Sequence, residues 1–317
     1  MTKPAVLAID IGGSKYIVGL VSEKGEIYAK KRYTCFEKTG NELVTSIIAA
    51  AQELLEKNEN YTPKVIGVTI PGLADPKRGY WIEASFSGIR DIPLGSILSR
   101  QFGIPAYADN DGQACALAER LFGVCQNVSD FLYLTVSNGV GGGIFLKDRI
   151  YYGATGCAGE MGHVTVVEHG RRCKCGKRGC LEMYAAGGGI VKNYIELGGN
   201  RLIHGKITDA RTIAALAEEG DLIALETFRL EGYYLGKAIA GACNLLNPAM
   251  IVIGGGVSLS FPLFEKTLWE YIRRSIYLRA NEDLKIKASP FGNDGGLMGA
   301  TAVALCGLNK MYGWGEL

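Results

Sequence analysis

The chain has 317 residues, more than one core comfortably holds, so two lobes of ordinary domain size are expected. A hydrophobic content of 48% with 44 glycines points to a soluble α/β protein with many tight turns, and a net charge of +2 leaves no global basic field to attract nucleic acid or a membrane surface. Nine cysteines, an odd number, argue against a disulfide framework and for a reducing, cytoplasmic compartment, while no stretch approaches the ~20 apolar residues of a membrane helix and the run before Asp10 is too short for a signal peptide.

Ala5 to Ile9 is a short apolar run that reaches Asp10 and turns through Gly12-Gly13-Ser14-Lys15. It resumes from Tyr16 to Val21 and turns again at Glu23-Lys24-Gly25 into Ile27 to Tyr33, which reads as a three-stranded meander. A helix over about 42–55 and a buried strand from Val65 to Ile70 follow, the strand ended by Pro71-Gly72. A second helix from Pro93 to Gln101 and a short strand around Ala106 lead to Asp109-Asn110-Asp111, which opens a helix through Phe122. The meander then recurs: Phe131 to Val136, a loop from Ser137 to Gly143, Ile144 to Leu146, and Ile150 to Tyr152. Beyond it the chain turns mainly helical, with Leu225, Phe228, Leu235, Ile239, Ala242 and Leu246 tracing one face of a long helix stopped by Asn247-Pro248. Met250 to Ile253 is a buried strand entering Gly254-Gly255-Gly256, followed by a helix to Leu278, a strand near Ile286 and a last helix from about Gly296 to Leu308. These elements place a small lobe at 1–109, rejoined by the last helix at about 297–317, and a large lobe at 110–296.

Two constellations carry chemistry. His163, Cys173, Cys175 and Cys180, spaced H-x9-C-x-C-x4-C, supply the three soft sulfurs and one imidazole of a closed tetrahedral zinc site, and four protein ligands make such a metal structural rather than catalytic. The alternatives are ordinary buried thiols, or His169 in place of His163; His204 reads as a surface residue. Arg171, Arg172, Lys174, Lys177 and Arg178 around the cysteines read as a solvated face. The second constellation is three glycine loops, at Gly12–Lys15, at Ser137-Asn138-Gly139 and onward, and at Gly254–Gly256, whose backbone N–H groups could hold phosphates. Each loop singly is also a plain tight turn. Asp10 shifts the balance, because a carboxylate ending an apolar strand needs a partner, and a Mg²⁺ bridging nucleotide phosphates would supply one.

Asp10-Ile11-Gly12-Gly13-Ser14-Lys15, the later glycine-rich hairpin, Gly159-Glu160-Met161-Gly162-His163, the Cys173-x-Cys175-Gly176-x-x-Gly179-Cys180-x-Glu182 signature and Gly254-Gly255-Gly256 resemble, in order, the ROK family of sugar kinases and sugar-responsive repressors. The resemblance spans essentially the whole chain. It implies an α/β, actin-like ATPase (ribonuclease H-like) fold of two lobes around a cleft, each built on the duplicated meander. It further implies that Asp111 is the general base on the attacking hydroxyl, that Gly72, Asn110, Asp111, Glu160, His163 and Glu182 contact the sugar, and that Asp10 with the three loops holds Mg²⁺-ATP. Asp109, adjacent to the proposed base, faces another way on the opening turn and ranks below it.

The activity so implied is transfer of the γ-phosphate of ATP to the 6-hydroxyl of a glucose-like sugar, by a homodimer that binds neither nucleic acid nor membrane. Ser85 and Ile89 stand where many glucose-preferring relatives carry Asn and Trp, and Asn138 stands where Thr is usual, so N-acetylmannosamine, N-acetylglucosamine, mannose, allose, fructose and β-glucosides remain candidate substrates. The rival is a sugar-sensing transcriptional regulator; a first phosphate loop at residue 10 is expected to leave no room for its DNA-binding domain.

Overall fold

Two five-stranded sheets built in corresponding strand order form the frame of the fold. The computed structural model describes residues 2–35, 40–84, 88–203 and 205–316. In chain order the elements are β1 (Lys3–Ile11), β2 (Lys15–Val21), β3 (Ile27–Thr34), α1 (Gly40–Glu56), β4 (Tyr61–Ile70), β5 (Leu73–Asp75), β6 (Tyr80–Ala84), β7 (Ile89–Ile92), α2 (Leu94–Phe102), β8 (Ala106–Asn110) and α3 (Asp111–Leu121). They continue with β9 (Phe131–Val136), β10 (Val140–Leu146), β11 (Arg149–Ile150), α4 (Glu182–Ala185), α5 (Gly187–Glu196), β12 (Leu202–Ile203), β13 (Lys206–Ile207), α6 (Ala210–Glu218), α7 (Leu222–Leu246), β14 (Met250–Gly254), α8 (Phe261–Ser275), β15 (Lys285–Ala288) and α9 (Gly295–Asn309).

The first sheet runs β3-β2-β1-β4-β8 and the second β11-β10-β9-β14-β15. In the first, β1, β2 and β3 are antiparallel neighbours while β4 and β8 are parallel to β1. In the second, β14 lies parallel to both β9 and β15. The packing divides the chain into two compact units, Met1–Ser129 with Gly143–Gly159 and Asn293–Leu317, and Asp130–Gly142 with Glu160–Gly292. The helix that follows Asp109 belongs to the first of these, because α3 packs on α9.

In the first unit, Ala5 to Ile9 and Val65 to Ile70 are buried on both faces, as continuous apolar runs in central strands should be. One face receives α1 through Leu43, Val44, Ile47, Ala50, Ala51 and Leu54. The other receives α9, which is buried almost all round from Leu297 to Cys306 and is accordingly apolar on every side. The contact is so close that a Cβ at Gly67 in β4 would overlap the Ala300 carbonyl oxygen.

Several expected boundaries move. Strand β10 begins at Val140, so the loop expected over 137–143 shortens to the Ser137–Gly139 turn. Glycine makes this possible, since a Cβ at Gly143 would run into the Gly112 carbonyl oxygen on α3. On α7, Phe228, Leu235 and Ile239 are buried as expected, but Leu225 is exposed and Thr227, Glu231 and Cys243 complete the inward face. Helix α8 stops at Ser275, short of Leu278. The small antiparallel sheet β5-β6-β7 was not foreseen; its strands are too short to show a period.

Candidate active site and metal centre

In the first unit, Asp10 lies near the end of β1, opposite Ile17 on β2 and Thr69 on β4. The Thr69 hydroxyl donates to Asp10 Oδ1 at 2.7 Å. Gly296, in the first turn of α9, comes so near that any Cβ there would strike the Asp10 carboxylate. Burial lifts the Asp10 carboxyl above its ordinary range, against the hydrogen bond from Thr69 and the charge of Lys15, which draw it down. Beside it the turn closes with Gly12 N–H donating to the Lys15 carbonyl at 2.9 Å. Gly13 is exposed, and Gly12, Ser14 and Lys15 are partly so. Cys35 braces this turn from below, its N–H donating to the Ser14 carbonyl at 3.2 Å and its thiol to the Gly12 carbonyl at 3.4 Å.

The junction of β8 and α3 holds the other half of this unit's candidates. Asn110 is the helix N-cap: its Oδ1 accepts from Gly112 N–H at 2.9 Å and Gln113 N–H at 3.4 Å, and its Nδ2 donates to the Gly72 carbonyl at 2.8 Å. Gly72 has φ +85°, and a Cβ there would collide with the Glu83 carbonyl, so only glycine fits. Asp111 opens α3, where a carboxylate complements the helix dipole, and its Oδ1 accepts from Gly112 N–H at 2.8 Å. Asp109 points elsewhere. Its buried carboxylate takes the Tyr152 hydroxyl at 2.7 Å, the Trp314 indole N–H at 2.9 Å and the Asn110 N–H at 2.8 Å. Burial pushes its pKa up to about 7 despite those donors. Asp111 is partly exposed, so of the two it has the access a reacting group needs.

In the second unit, one coordinating atom each from His163, Cys173, Cys175 and Cys180 lies within 4.8 Å of all the others. His163 Nδ1 is 3.7 Å from Cys173 Sγ, and Cys175 Sγ is 3.6 Å from Cys180 Sγ. Zinc bonds of ~2.3 Å to sulfur and ~2.0 Å to nitrogen imply tetrahedral edges of about 3.5–3.8 Å, a range that contains both spacings. Burial pushes the Cys180 thiol up to about 12 and raises Cys173, whereas the Lys177 backbone N–H lowers Cys175. His169 stands apart from the cluster with its side chain 92% exposed. His204 and Ser85 lie outside the described residues.

With Nδ1 turned to the sulfurs, His163 presents Nε2 to Glu160, 3.8 Å from Oε2. Gly179 makes the ligand loop tight: its φ is +78° and a Cβ would overlap the Val167 carbonyl. Arg171 departs from the expected solvated face, because its guanidinium lies over Tyr184 at 4.5 Å, donates to the Met183 carbonyl and pairs with Glu196. Arg172, Lys174, Lys177 and Arg178 are exposed.

Glu182, two residues past the last cysteine, starts α4 and turns toward the second glycine loop, its Oε2 accepting from Val140 N–H at 3.2 Å. That turn is closed by Ser137 N–H donating to Gly139 at 2.9 Å, and Gly187 N–H donates to Ser137 at 2.8 Å. Ser137 and Asn138 are exposed. At the third loop, Gly254 rests on the Tyr133 ring, Gly255 has φ +81° over the Val136 backbone, and Gly256 faces open space. The Ser258 hydroxyl donates to the Gly255 carbonyl at 2.7 Å.

The sequence profile of the ROK family matches residues 6–306. The chain belongs to this family. This ROK protein is 33% identical to a glucokinase of Halalkalibacterium halodurans, over 92% of each chain. In structure it is similar to a ROK family glucokinase from Streptomyces griseus in complex with glucose and AMPPNP, with TM-score 0.85, 29% identity and coverage of 95% of this chain and 99% of that one. It is equally similar to a ROK family transcriptional regulator, a homologue of the Escherichia coli MLC protein, with TM-score 0.86, 28% identity and coverage of 95% and 77%. Its fold is therefore the mixed α/β, actin-like ATPase fold, and sugar-kinase relatives match it over more than nine-tenths of its length.

Sequence reasoning missed Thr69, Gly296, Tyr152 and Trp314. A β-branched hydroxyl in an apolar strand and the Gly295-Gly296 pair opening α9 are the only signals that pointed to the first two.

Proposed function

We propose that this protein is an ATP-dependent hexose kinase that phosphorylates the 6-hydroxyl of a glucose-like sugar. The observation that carries the reading is the β8–α3 junction: Asp111 is partly exposed and oriented by the Gly112 N–H, while the neighbouring carboxylate, Asp109, is consumed by Tyr152 and Trp314. Full-length likeness to a glucokinase bound to glucose and AMPPNP supports the same assignment.

In this reading Asp111 accepts the proton of the attacking hydroxyl, and because phosphoryl transfer is loose, aligning that oxygen matters more than its basicity. Asn110, fixed by its cap and by Gly72, orients sugar hydroxyls with its remaining valences, and Glu160, His163 Nε2 and Glu182 bind the others. Asp10 with its Thr69 hydrogen bond would hold Mg²⁺ through water, and that ion supplies charge neutralisation to the ATP phosphates. Backbone N–H groups of Gly12–Lys15, Ser137–Gly139 and Gly254–Gly256 would hold the phosphates. The His163–Cys173 and Cys175–Cys180 spacings and the thiol-rich donor set fit a structural zinc, which would anchor the loop between Glu160 and Glu182. The working form is proposed to be a cytoplasmic homodimer; among the described residues no helix is long and apolar enough to cross a membrane.

The test is ADP release over a panel of hexoses, hexosamines and β-glucosides with zinc measured on the same preparation. Asp111→Ala should abolish phosphorylation while sugar affinity stays within a few fold, and unchanged turnover in that variant overturns the assignment. The likeness to the transcriptional regulator favours a second reading, a sugar-responsive regulator. Duplex-DNA affinity that falls steeply with salt, with no ADP release on any sugar, would select it.

A further inference from the structure

The first unit holds a cavity of about 440 Å³, within the ~300–1,000 Å³ range of small-molecule sites. Three elements and the turn at 312–315 build it: the β5–β6 turn with Lys77 and Arg78, helix α2 with Ser96, Ser99 and Arg100, the start of β8 with Tyr107, and Trp314. The turn and the helix are locked together, since Gly95 N–H donates to the Gly79 carbonyl at 2.9 Å and a Cβ on either glycine would crowd the other's Cα. The turn and the helix that form these walls are therefore fixed relative to each other.

Their chemistry is one-sided. Lys77, Arg78 and Arg100 bring three cations and no carboxylate lines the cavity. Arg78 is aimed by Asp75 behind it, whose Oδ1 accepts the Arg78 N–H at 3.1 Å and whose Oδ2 lies 3.7 Å from the guanidinium, and it stacks on Tyr80 at 4.1 Å. Among the described residues, Lys77 and Arg100 have no acidic partner. Two serine hydroxyls and the Tyr107–Trp314 edge-to-face pair, 5.2 Å between centroids, complete the lining. Guanidinium and ammonium groups beside hydroxyls and an aromatic edge suit a phosphate ester carrying a small organic body.

One lining residue leads out of the cavity. Tyr107 and Asp109 lie two residues apart on β8 and so share a face, and Trp314 meets both: its ring packs on Tyr107 and its indole N–H donates to Asp109 at 2.9 Å. Asp109 in turn accepts the N–H of Asn110, the cap of α3 and immediate neighbour of Asp111. We propose that this cavity is a regulatory site for a small phosphomonoester, and that its occupancy is passed through Trp314 and Asp109 to Asn110 at the other end of β8. The binding claim stands apart from the kinase reading; only its consequence for catalysis rests on it.

Calorimetry on the full chain with fructose 1,6-bisphosphate and with inorganic phosphate tests the site. The bisphosphate should bind saturably below about 1 mM and at least about tenfold more tightly than phosphate alone, and a Lys77→Ala/Arg100→Ala variant with unchanged melting temperature should lose about tenfold or more. No saturation below about 5 mM, or equal binding by that variant, overturns the site; equal affinity for inorganic phosphate overturns the organic-ester assignment. Hydrogen exchange at Gly112 and Gln113 reads the relay independently of activity. Ligand should slow it in the wild type but not in Trp314→Phe, which keeps a ring and lacks the N–H; the same response in both overturns the relay.

Discussion

Glu231 sits in the middle of α7, fully buried, and neither carboxylate oxygen has a hydrogen-bond partner among the described residues. Burial alone holds its carboxyl well above the usual value of 4.5, so the folded chain retains the proton at pH values where the unfolded chain has already lost it. The sign follows: above pH 4.5 the unfolded chain releases that proton while the folded chain retains it, so stability falls as pH rises toward the raised folded value. One proton of difference is worth about 1.4 kcal/mol per pH unit over the interval in which the two states differ. Glu231→Met keeps a similar length, suits a helix and has no proton to hold. It should therefore be more stable than wild type, by a margin that widens by up to about 1.4 kcal/mol per pH unit above 4.5 and narrows as pH falls toward that value. Glu231→Gln should share the flatter profile with less gain, because its amide stays unpaired. Urea unfolding of the three chains at several pH values measures this, and wild-type and methionine curves that run parallel would refute the argument.

Gly67→Ala should cost the first unit about 3 kcal/mol or more, because both β4 and α9 offer only backbone at the overlap with Ala300; a melting temperature equal to wild type would contradict that close approach. Asp109, raised to about 7, should make stability decline from its unfolded value of 3.8 up to about 7 and then level off. Asp109→Asn should remove that slope, and Trp314 fluorescence in the wild type should titrate over the same interval. Zinc analysis should find one ion per chain, and Cys180→Ser, at a buried ligand position, should abolish it and lower the melting temperature. Wild-type levels of zinc in that variant would sink the ligand set.

The parts of the site that could be read along the chain are those whose partners are near in sequence. His163, Cys173, Cys175 and Cys180 fall inside one segment of 18 residues, so ligand chemistry and spacing alone single them out, and their coordinating atoms converge. Asn110 and Asp111 were legible as a strand-to-helix junction because capping is local. The β1–β2–β3 meander and the buried runs of β4 and β14 follow from apolar pattern and turn residues.

What the chain order hides is long-range pairing. Asp10 meets Thr69 because β1 and β4 lie parallel in one register, and it meets Gly296 because α9 returns to the sheet from the far end of the chain. Asp109 and Asp111 look alike as letters; only the arrival of Tyr152 and Trp314 makes one a buried anchor and leaves the other accessible. Glu182 likewise reads as a residue trailing a cysteine loop until α4 sets it against the Val140 N–H. Composition, period and spacing thus determine elements, turns and a compact ligand set, since those depend on neighbours a few residues away. Which polar groups are satisfied and which stay open depends on contacts between segments far apart in the chain, and those form only when the whole sheet and its covering helices pack.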